Sequence, residues 1–264
     1  MNTLNLGLDR AILELRKYFR EKDQVFFSFL FPIMLLVLFS TVFGDQFKGS
    51  GTTAGQFFLP GMVSAGILLT SFQSMALTVA TERDDGTLRR LRGTPTPPTA
   101  YFLGKVGLVA VTSLLQMAVL LTLAHFAYDV PMPNSAARWG TFLWVFGLGV
   151  FCGTVLGIAY SSLATSARSA TAAVIGPVMI LQFISGVYFA FRDIPTWLQQ
   201  VASVFPLKWV AQGMRSVFLP ESMASEEMAG VWELGRVALV LGAWAIAGLV
   251  LCLTTFRWTK RGSD

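Results

Sequence analysis

One charged stretch, ERDDGTLRRLRGTPTPP at residues 82–98, lies between two long apolar runs of the sequence. It combines three carboxylates with four arginines. Side chains of these types form ion pairs, cap helices and bind partner proteins, and the stretch has no obvious nucleophile or general base beside them. It therefore indicates recognition rather than bond-making chemistry.

The rest of the chain offers few groups for catalysis or ion coupling. His125 is the only histidine, so neither a Ser-His-Asp set nor a histidine cluster for a metal is expected. The sequence contains no G-x-x-x-x-G-K-[ST] loop, which predicts no ATP site in this chain. No Asp or Glu falls in the middle third of an apolar run, whereas ion-coupled carriers usually keep such groups. We predict no catalytic residue, no metal site and no cofactor in this chain.

The composition is that of an integral membrane protein. The chain has 264 residues, of which 54% are hydrophobic and 13% charged, against about 25% charged in soluble domains. A helix that crosses a bilayer needs about 20 apolar residues. Cys152 and Cys252 lie in apolar runs and are expected to be buried and unpaired. We predict an all-α membrane protein with six transmembrane helices, at residues 25–43, 57–81, 104–127, 139–163, 171–190 and 237–256.

The distribution of Lys and Arg predicts the orientation. With six spans, both termini lie on the same side, and most of the 20 Lys and Arg residues fall on that side. By the positive-inside rule this side is the cytoplasm. The charged stretch between the second and third spans is then a cytoplasmic loop.

The predicted spans and orientation divide the chain into three parts. Residues 1–24 form a cytoplasmic segment whose Leu8, Ile12, Leu15 and Phe19 recur at helical spacing, which favours an amphipathic helix in the membrane interface over a plain soluble leader. The six-span domain covers residues 25–256, and residues 257–264 form a cytoplasmic tail.

The charged loop itself predicts a short helix parallel to the membrane. Gly86 permits a sharp turn after the second span, and Thr87 is expected to cap a helix over residues 87–92. Leu88 and Leu91 would lie on one side of it and the arginines on the others. Pro95 and the prolines after it stiffen the return to the membrane. The alternative is a basic loop that only fixes topology.

The longest segment outside the spans, residues 191–236, is apolar for a loop. We predict two short outer helices broken at Pro206, which dip into the outer leaflet against the protein, with Trp197 and Trp209 among their aromatic residues. The alternative is an amphipathic surface loop. In the fourth span, a glycine ladder predicts close helix packing within the chain rather than a dimer seam: Gly149, Gly153 and Gly157.

The charged loop resembles a motif of the ABC type-2 transporter permease family. Members carry Glu-Arg-x-x-Gly-Thr-Leu-x-x-Leu-x-x-x-Pro after the second span and Gly-Lys at the start of the third. The short loops resemble permeases of the daunorubicin type. The matching residues are Glu82, Arg83, Gly86, Thr87, Leu88, Leu91, Pro95, Gly104 and Lys105.

The resemblance implies partners and roles for these residues. Two separate ATPase subunits would carry ATP and Mg and bind the loop from the cytoplasm, and a second permease, identical or related, would complete the path. Glu82 would pair with a basic residue of the leading helix. The docking element would comprise Glu82, Arg83, Gly86, Thr87, Leu88, Arg89, Arg90, Leu91, Arg92 and Pro95. The outer gate would comprise Pro195, Trp197, Pro206 and Trp209.

The resemblance also implies a substrate path lined by the second and fifth spans. The expected lining is hydrophobic, which favours drugs, antibiotics, lipids or glycolipids, exported across a bacterial inner membrane. A polysaccharide exporter, a passive channel or secondary carrier, and a membrane anchor without transport remain alternatives. The lining residues would be Leu68, Leu69, Phe72, Met75, Val178, Met179 and Phe183.

Overall fold

The structure is a computed structural model that describes residues 3–47, 51–94 and 97–258, and no strand occurs in these ranges. Most of this part of the chain is helical, so the all-α prediction is confirmed. The helices are α1 (Thr3–Arg20), α2 (Lys22–Val25), α3 (Phe31–Val42), α4 (Ala54–Ile67), α5 (Ser74–Asp84), α6 (Thr87–Arg92), α7 (Pro98–Tyr128), α8 (Ala136–Tyr160), α9 (Ala167–Ile184), α10 (Thr196–Val204), α11 (Pro206–Phe218) and α12 (Leu234–Thr255).

Five helices of the described ranges are long and apolar enough to cross a membrane. They correspond to the second to sixth predicted spans: Ala54–Asp84, Pro98–Tyr128, Ala136–Leu163, Ala167–Ile184 and Leu234–Thr255. The first of them joins α4 to α5 through a π-helical segment, Leu68–Gln73. At the position of the first predicted span the structure has a shorter apolar helix, Ser28–Val42. Six spans therefore stay a prediction.

The fifth span ends earlier than the sequence pattern predicts. Its helix stops at Ile184, and Gly186 then adopts a left-handed conformation with φ of 71°. The turn brings the backbone of Val187 onto α4, where a Cβ on Gly61 would lie only 1.9 Å from the Val187 carbonyl oxygen. The apolar residues after Ile184 thus pack as a turn against α4 instead of extending the helix.

The glycines of the fourth span pack against the second span of the same chain. A Cβ on Gly153 would lie 2.0 Å from Ser71 Oγ, and one on Gly157 would lie 2.5 Å from the carbonyl oxygen of Phe72. This close approach confirms the prediction of packing within the chain. Cys152 and Cys252 are buried and form no disulfide, also as predicted.

Helix α1 lies along the first turns of α7. The backbones approach closely at Gly104, where a Cβ would lie 2.5 Å from Arg10 Cγ. The opposite face of α1 exposes Leu8, Ile12 and Phe19, as expected of a helix whose apolar side faces lipid. Its location in the interface stays a prediction.

The outer segment contains the two predicted helices, α10 and α11, separated at Pro206. Every residue of α11 from 207 to 218 is buried, and the helix packs against α4, α8 and α12. The alternative of a surface loop is therefore wrong for α11. Trp197 on α10 is 65% exposed.

We predict that Gly61→Ala destabilises the protein by about 1–3 kcal/mol, because a methyl group there meets a backbone carbonyl that no rotamer change removes. Gly147→Ala is the matched control, since no atom lies within 4 Å of the Cβ position at this helical glycine. Thermal unfolding of the purified variants in detergent measures both. Equal midpoints for the two variants would contradict the close contact.

Candidate functional site

The carboxylate of Glu82 is buried near the C-terminal end of α5. Lys105 Nζ lies 2.6 Å from Glu82 Oε1, and the hydroxyl of Tyr101 donates a hydrogen bond of 2.8 Å to Oε2. The side chain is 1% exposed. Glu82 is therefore buried within this chain, and its predicted part in the docking element stays a prediction. It fixes the α5 end to α7.

Lys105 joins two acidic residues from different helices. Besides Glu82, its Nζ binds Glu14 Oε2 of α1 at 2.9 Å, and Arg10 Nη2 binds Glu14 Oε1 at 2.7 Å. Burial raises the pKa of the Glu14 carboxyl, but the attraction of Lys105 and Arg10 outweighs it and holds the pKa below its ordinary value. Two cations and two carboxylates thus form a compensated cluster. We call Arg10, Glu14, Glu82 and Lys105 the buried charge cluster.

The sequence interpretation expected Glu82 to pair with a basic residue of the leading helix. Lys17 of α1 does approach it, with 3.9 Å between Lys17 Nζ and Glu82 Oε1, but Lys105 of α7 is the closer partner. The sequence signal for Lys105 was its position after Gly104, a lysine at the start of an apolar run. Gly104 has no side chain, so α1 can pack closely against α7 there, and Lys105 then forms an ion pair with Glu14 of α1.

Arg83, the next residue, ties α5 to two other parts of the chain. Its Nη1 and Nη2 donate to the carbonyl oxygen and hydroxyl of Ser161, at 2.7 and 3.0 Å, and its Nε donates to the carbonyl oxygen of Arg257 at 3.1 Å. The side chain is buried. Arg83 thus connects the second span to the end of the fourth and to the chain after the last.

The two residues after Arg83 are aspartates, and each accepts a hydrogen bond from the start of another helix. Asp84 Oδ2 accepts a hydrogen bond of 3.1 Å from the backbone nitrogen of Ala167, the first residue of α9. Asp85 Oδ1 accepts one of 2.8 Å from the backbone nitrogen of Thr87, the first residue of α6. Carboxylates at helix N-termini are favourable because the first backbone N–H groups have no partner within the helix. Residues 82–85 therefore contact four different elements in succession.

Helix α6 covers the predicted residues, Thr87–Arg92. The sharp turn at Gly86 is confirmed by its φ of 76°, but the predicted cap by Thr87 is wrong: Gly86 occupies the N-cap position and Asp85 supplies the side-chain oxygen. A short acidic side chain two residues before the first helical nitrogen reaches it more directly than the hydroxyl of a residue already inside the helix. Pro95 lies outside the described residues.

The two sides of α6 differ in exposure. Leu88 is 0% exposed and packs in an apolar cluster with Met75 and Tyr101, and Leu91 packs at its edge. Leu88 therefore holds α6 against this chain, and its predicted part in the docking element stays a prediction. The side chains that face away from the protein are basic: Arg89, Arg90 and Arg92.

A cavity of about 690 Å³ lies between α1, α3, the second span and α9. Four of the seven residues predicted to line the path border it, namely Leu69, Val178, Met179 and Phe183. At the end next to α1 the cavity is bordered by charged residues of α1 and the following turn: Glu14, Lys17, Glu21 and Asp23.

The other three predicted lining residues do not border the cavity. Leu68 and Met75 are buried within the bundle, and the backbone of Phe72 packs at Gly157 of α8. The cavity face of the second span instead bears Gln73, Ser74, Leu77, Thr78 and Thr81. The π-helical segment Leu68–Gln73 changes which side chains share a face, and a pattern read as an unbroken α-helix does not anticipate this.

The predicted outer-gate residues lie at the two outer helices. Pro195 and Trp197 are exposed at the start of α10, whereas Pro206 begins α11 and Trp209 is buried, its indole nitrogen donating to the carbonyl oxygen of Ser203 at 2.8 Å. Burial lowers the pKa of the neighbouring Lys208 ammonium to about 8. Nothing in this geometry tests a gating role.

A buried ion pair, which the sequence interpretation missed, closes the same outer region. Arg215 Nε binds Glu227 Oε1 at 2.5 Å, and Arg215 Nη1 donates to the carbonyl oxygen of Gly186 at 2.9 Å. The pair links α11 to the turn after α9. No group of three His, Cys, Asp or Glu residues suited to a metal occurs in the described ranges.

A bundle of long apolar helices with an exposed basic helix at one end is the architecture of a multi-pass membrane protein. The chain belongs to the ABC-2 type transporter family, whose model matches residues 10–219.

Two relatives give the family a more specific context. The daunorubicin resistance ABC transporter permease protein DrrB1 of Streptomyces coeruleorubidus is 30% identical over 241 residues, which cover 86% of this chain and 77% of that protein. The probable multidrug ABC transporter permease YbhR of Escherichia coli is 23% identical over 191 residues, or 72% of this chain and 51% of that protein. The chain thus spans about half the length of the E. coli permease.

We predict that Lys105→Met destabilises the protein by about 3–5 kcal/mol, because it leaves Glu14 and Glu82 buried without their shared cation. Lys22→Met is the control, since Lys22 is exposed. Chemical denaturation in detergent measures the change. Adding Glu82→Gln to Lys105→Met should restore part of the stability, and a double variant no more stable than Lys105→Met alone would contradict the cluster.

Proposed function

We propose that this chain is the membrane subunit of an ATP-driven exporter of hydrophobic or amphipathic molecules, such as drugs, antibiotics, lipids or glycolipids. ATP and Mg would bind to two separate ATPase subunits in the cytoplasm. A second permease, identical or related, would complete the path through a bacterial inner membrane, with both termini in the cytoplasm. Membership of the ABC-2 family and the printed names of the two permease relatives support this proposal.

The observation that carries the proposal is the set of contacts made by residues 82–85. One helix end binds α7 through Glu82, the ends of the fourth and sixth spans through Arg83, α9 through Asp84 and α6 through Asp85. A displacement of α6 by a partner is therefore passed to several spans at once. The second span and α9 also form two walls of the cavity, so a movement at α6 reaches the space that would hold the substrate.

The exposed side of α6 supplies the surface for the ATPase. Its three arginines project from a helix that Leu88 anchors from behind. Exposed guanidinium groups pair with carboxylates in a bidentate manner, so we expect an acidic groove on the ATPase. In this arrangement Glu82 and Leu88 transmit force and the arginines make the contact.

The first experiment is to purify the tagged chain from its native membrane in mild detergent and to identify the copurifying proteins by mass spectrometry. A stoichiometric P-loop ATPase of separate sequence is the expected result, and a second permease would appear in the same sample. Recovery of this chain alone, under conditions that preserve other membrane complexes, would favour a passive channel or secondary carrier. Transport assays with lipid-linked sugars separate the polysaccharide alternative from drug export.

We predict that Arg89→Glu combined with Arg92→Glu weakens binding of the ATPase by about tenfold or more, because each change replaces an attractive charge with a repulsive one. The control carries the same charge changes on α1, as Arg16→Glu with Arg20→Glu, both at exposed positions. Copurified ATPase per permease is the measurement. Equal losses for the two double variants would show that α6 is not the docking element.

We predict that Asp84→Ala leaves ATPase binding intact and lowers transport per ATP hydrolysed. The change removes the hydrogen bond to Ala167 N, an interaction of about 1 kcal/mol that ties α9 to the second span. Asp9→Ala, at an exposed position of α1, is the control. Reconstituted complexes give ATPase activity and substrate flux side by side. An unchanged ratio of flux to ATPase activity in Asp84→Ala would show that this contact does not transmit movement.

A further inference from the structure

Three polar side chains on the cavity wall of the second span have no hydrogen-bond partner in the described ranges. They are Gln73, Thr78 and Thr81, and all three border the cavity. Seven other threonines of the spans satisfy their hydroxyls within their own helix by donating to the carbonyl oxygen four residues earlier, whereas Thr41 and Thr141, which do not border the cavity, have no such bond: the seven are Thr70, Thr112, Thr122, Thr154, Thr171, Thr254 and Thr255. The cavity wall thus offers hydrogen-bonding groups that the fold leaves available.

These groups form an edge along the axis of the second span rather than a single spot. Gln73 and Thr81 are eight residues apart, which corresponds to about 12 Å along a helix axis. The facing walls are mostly apolar, with Phe31 and Leu35 from α3 and Met179 from α9, although α9 also contributes Thr171 and Gln182. Away from the end that the charged residues of α1 and the following turn border, the cavity therefore combines one polar edge with largely apolar sides.

A ligand that enters displaces water from these groups and has to replace the lost hydrogen bonds. An amphiphile with a polar head and an apolar tail can replace these hydrogen bonds only where its head lies. Its tail would leave the other polar side chains of the cavity wall unpaired. A molecule with a rigid apolar body and several polar groups along one face matches the whole length of the edge.

We propose that this cavity binds facially amphipathic molecules, which carry hydroxyl or carbonyl groups along one side of a rigid apolar body, and that Gln73, Thr78 and Thr81 contact that polar side. The proposal rests on the proposed function in taking this cavity as the substrate site. The edge selects among apolar ligands of equal size by the number of polar groups that they present to the second span.

The test uses the full-length chain in phosphatidylcholine nanodiscs and two radiolabelled probes, cholate and lithocholate. The two share a steroid body and a carboxylate, but cholate carries additional hydroxyls on one face. Protein-free nanodiscs give the correction for partitioning into lipid. We expect the protein to bind cholate about tenfold more tightly than lithocholate, because each satisfied hydrogen bond favours the complex several-fold. Equal affinities after correction would overturn the proposal.

The variant that tests the residues is Thr78→Val with Thr81→Val, which removes both hydroxyls and keeps the side-chain shape. We expect the preference for cholate to fall to about twofold or less. Thr122→Val is the control, since the Thr122 hydroxyl is bonded within its own helix, and it should keep the full preference. A double valine variant that retains the preference would overturn the assignment of the edge to the second span.

A third probe, lysophosphatidylcholine, represents the amphiphile with head and tail. Binding tighter than that of cholate, and equal in the wild-type and double valine proteins, would overturn the proposal in favour of that class. These measurements need no nucleotide and no partner, so they fail independently of the proposed function. If no ATPase copurifies, the proposed exporter function is wrong, but the binding preference for cholate can still hold. If the ATPase is coupled but the preference for cholate is absent, only this inference is wrong.

Discussion

The architecture around α6 depends on the compensation of buried charge around Lys105. An ammonium withdrawn from water has to gain contacts that offset its lost hydration, and here Glu14 and Glu82 supply them from two different helices. Because neither carboxylate is tolerable in this position without the lysine, α1, the end of α5 and the start of α7 are held in one arrangement. Helix α6 begins three residues after Asp84, the last residue of α5. The position of α6 therefore depends on how the end of α5 is held.

The second span makes three kinds of contact, one at its end and two on its faces. Its cytoplasmic end makes the successive contacts of residues 82–85, one face packs against the glycines of α8, and another borders the cavity. The helix is 31 residues long and its best apolar window is largely buried, so it behaves as the central element of the bundle rather than as a lipid-facing helix. Residues 82–85 and the cavity wall are thus parts of one continuous helix.

Much of the fold was predictable because its signals are local. The length of the apolar runs located the second to sixth spans, Gly86 and the surrounding pattern located α6 at Thr87–Arg92, and Pro206 located the break between α10 and α11. The roles of side chains within these elements were less predictable. The glycine turn that ends α9 and the π-helical segment Leu68–Gln73 both arise from contacts with distant helices, and each changed which residues face the cavity.

The sequence by itself determined the class of protein, because hydropathy, the distribution of basic residues and the spacing of glycines and prolines act over one or a few helical turns. Only the tertiary structure decided which charged residues meet and which remain exposed. Glu82 and Arg89 lie seven residues apart in one motif, yet the first is buried against Lys105 and the second faces outwards. The reason is that the energy of a buried charge depends on groups brought close by folding, here from α1 and α7, and spacing along the chain does not specify that proximity.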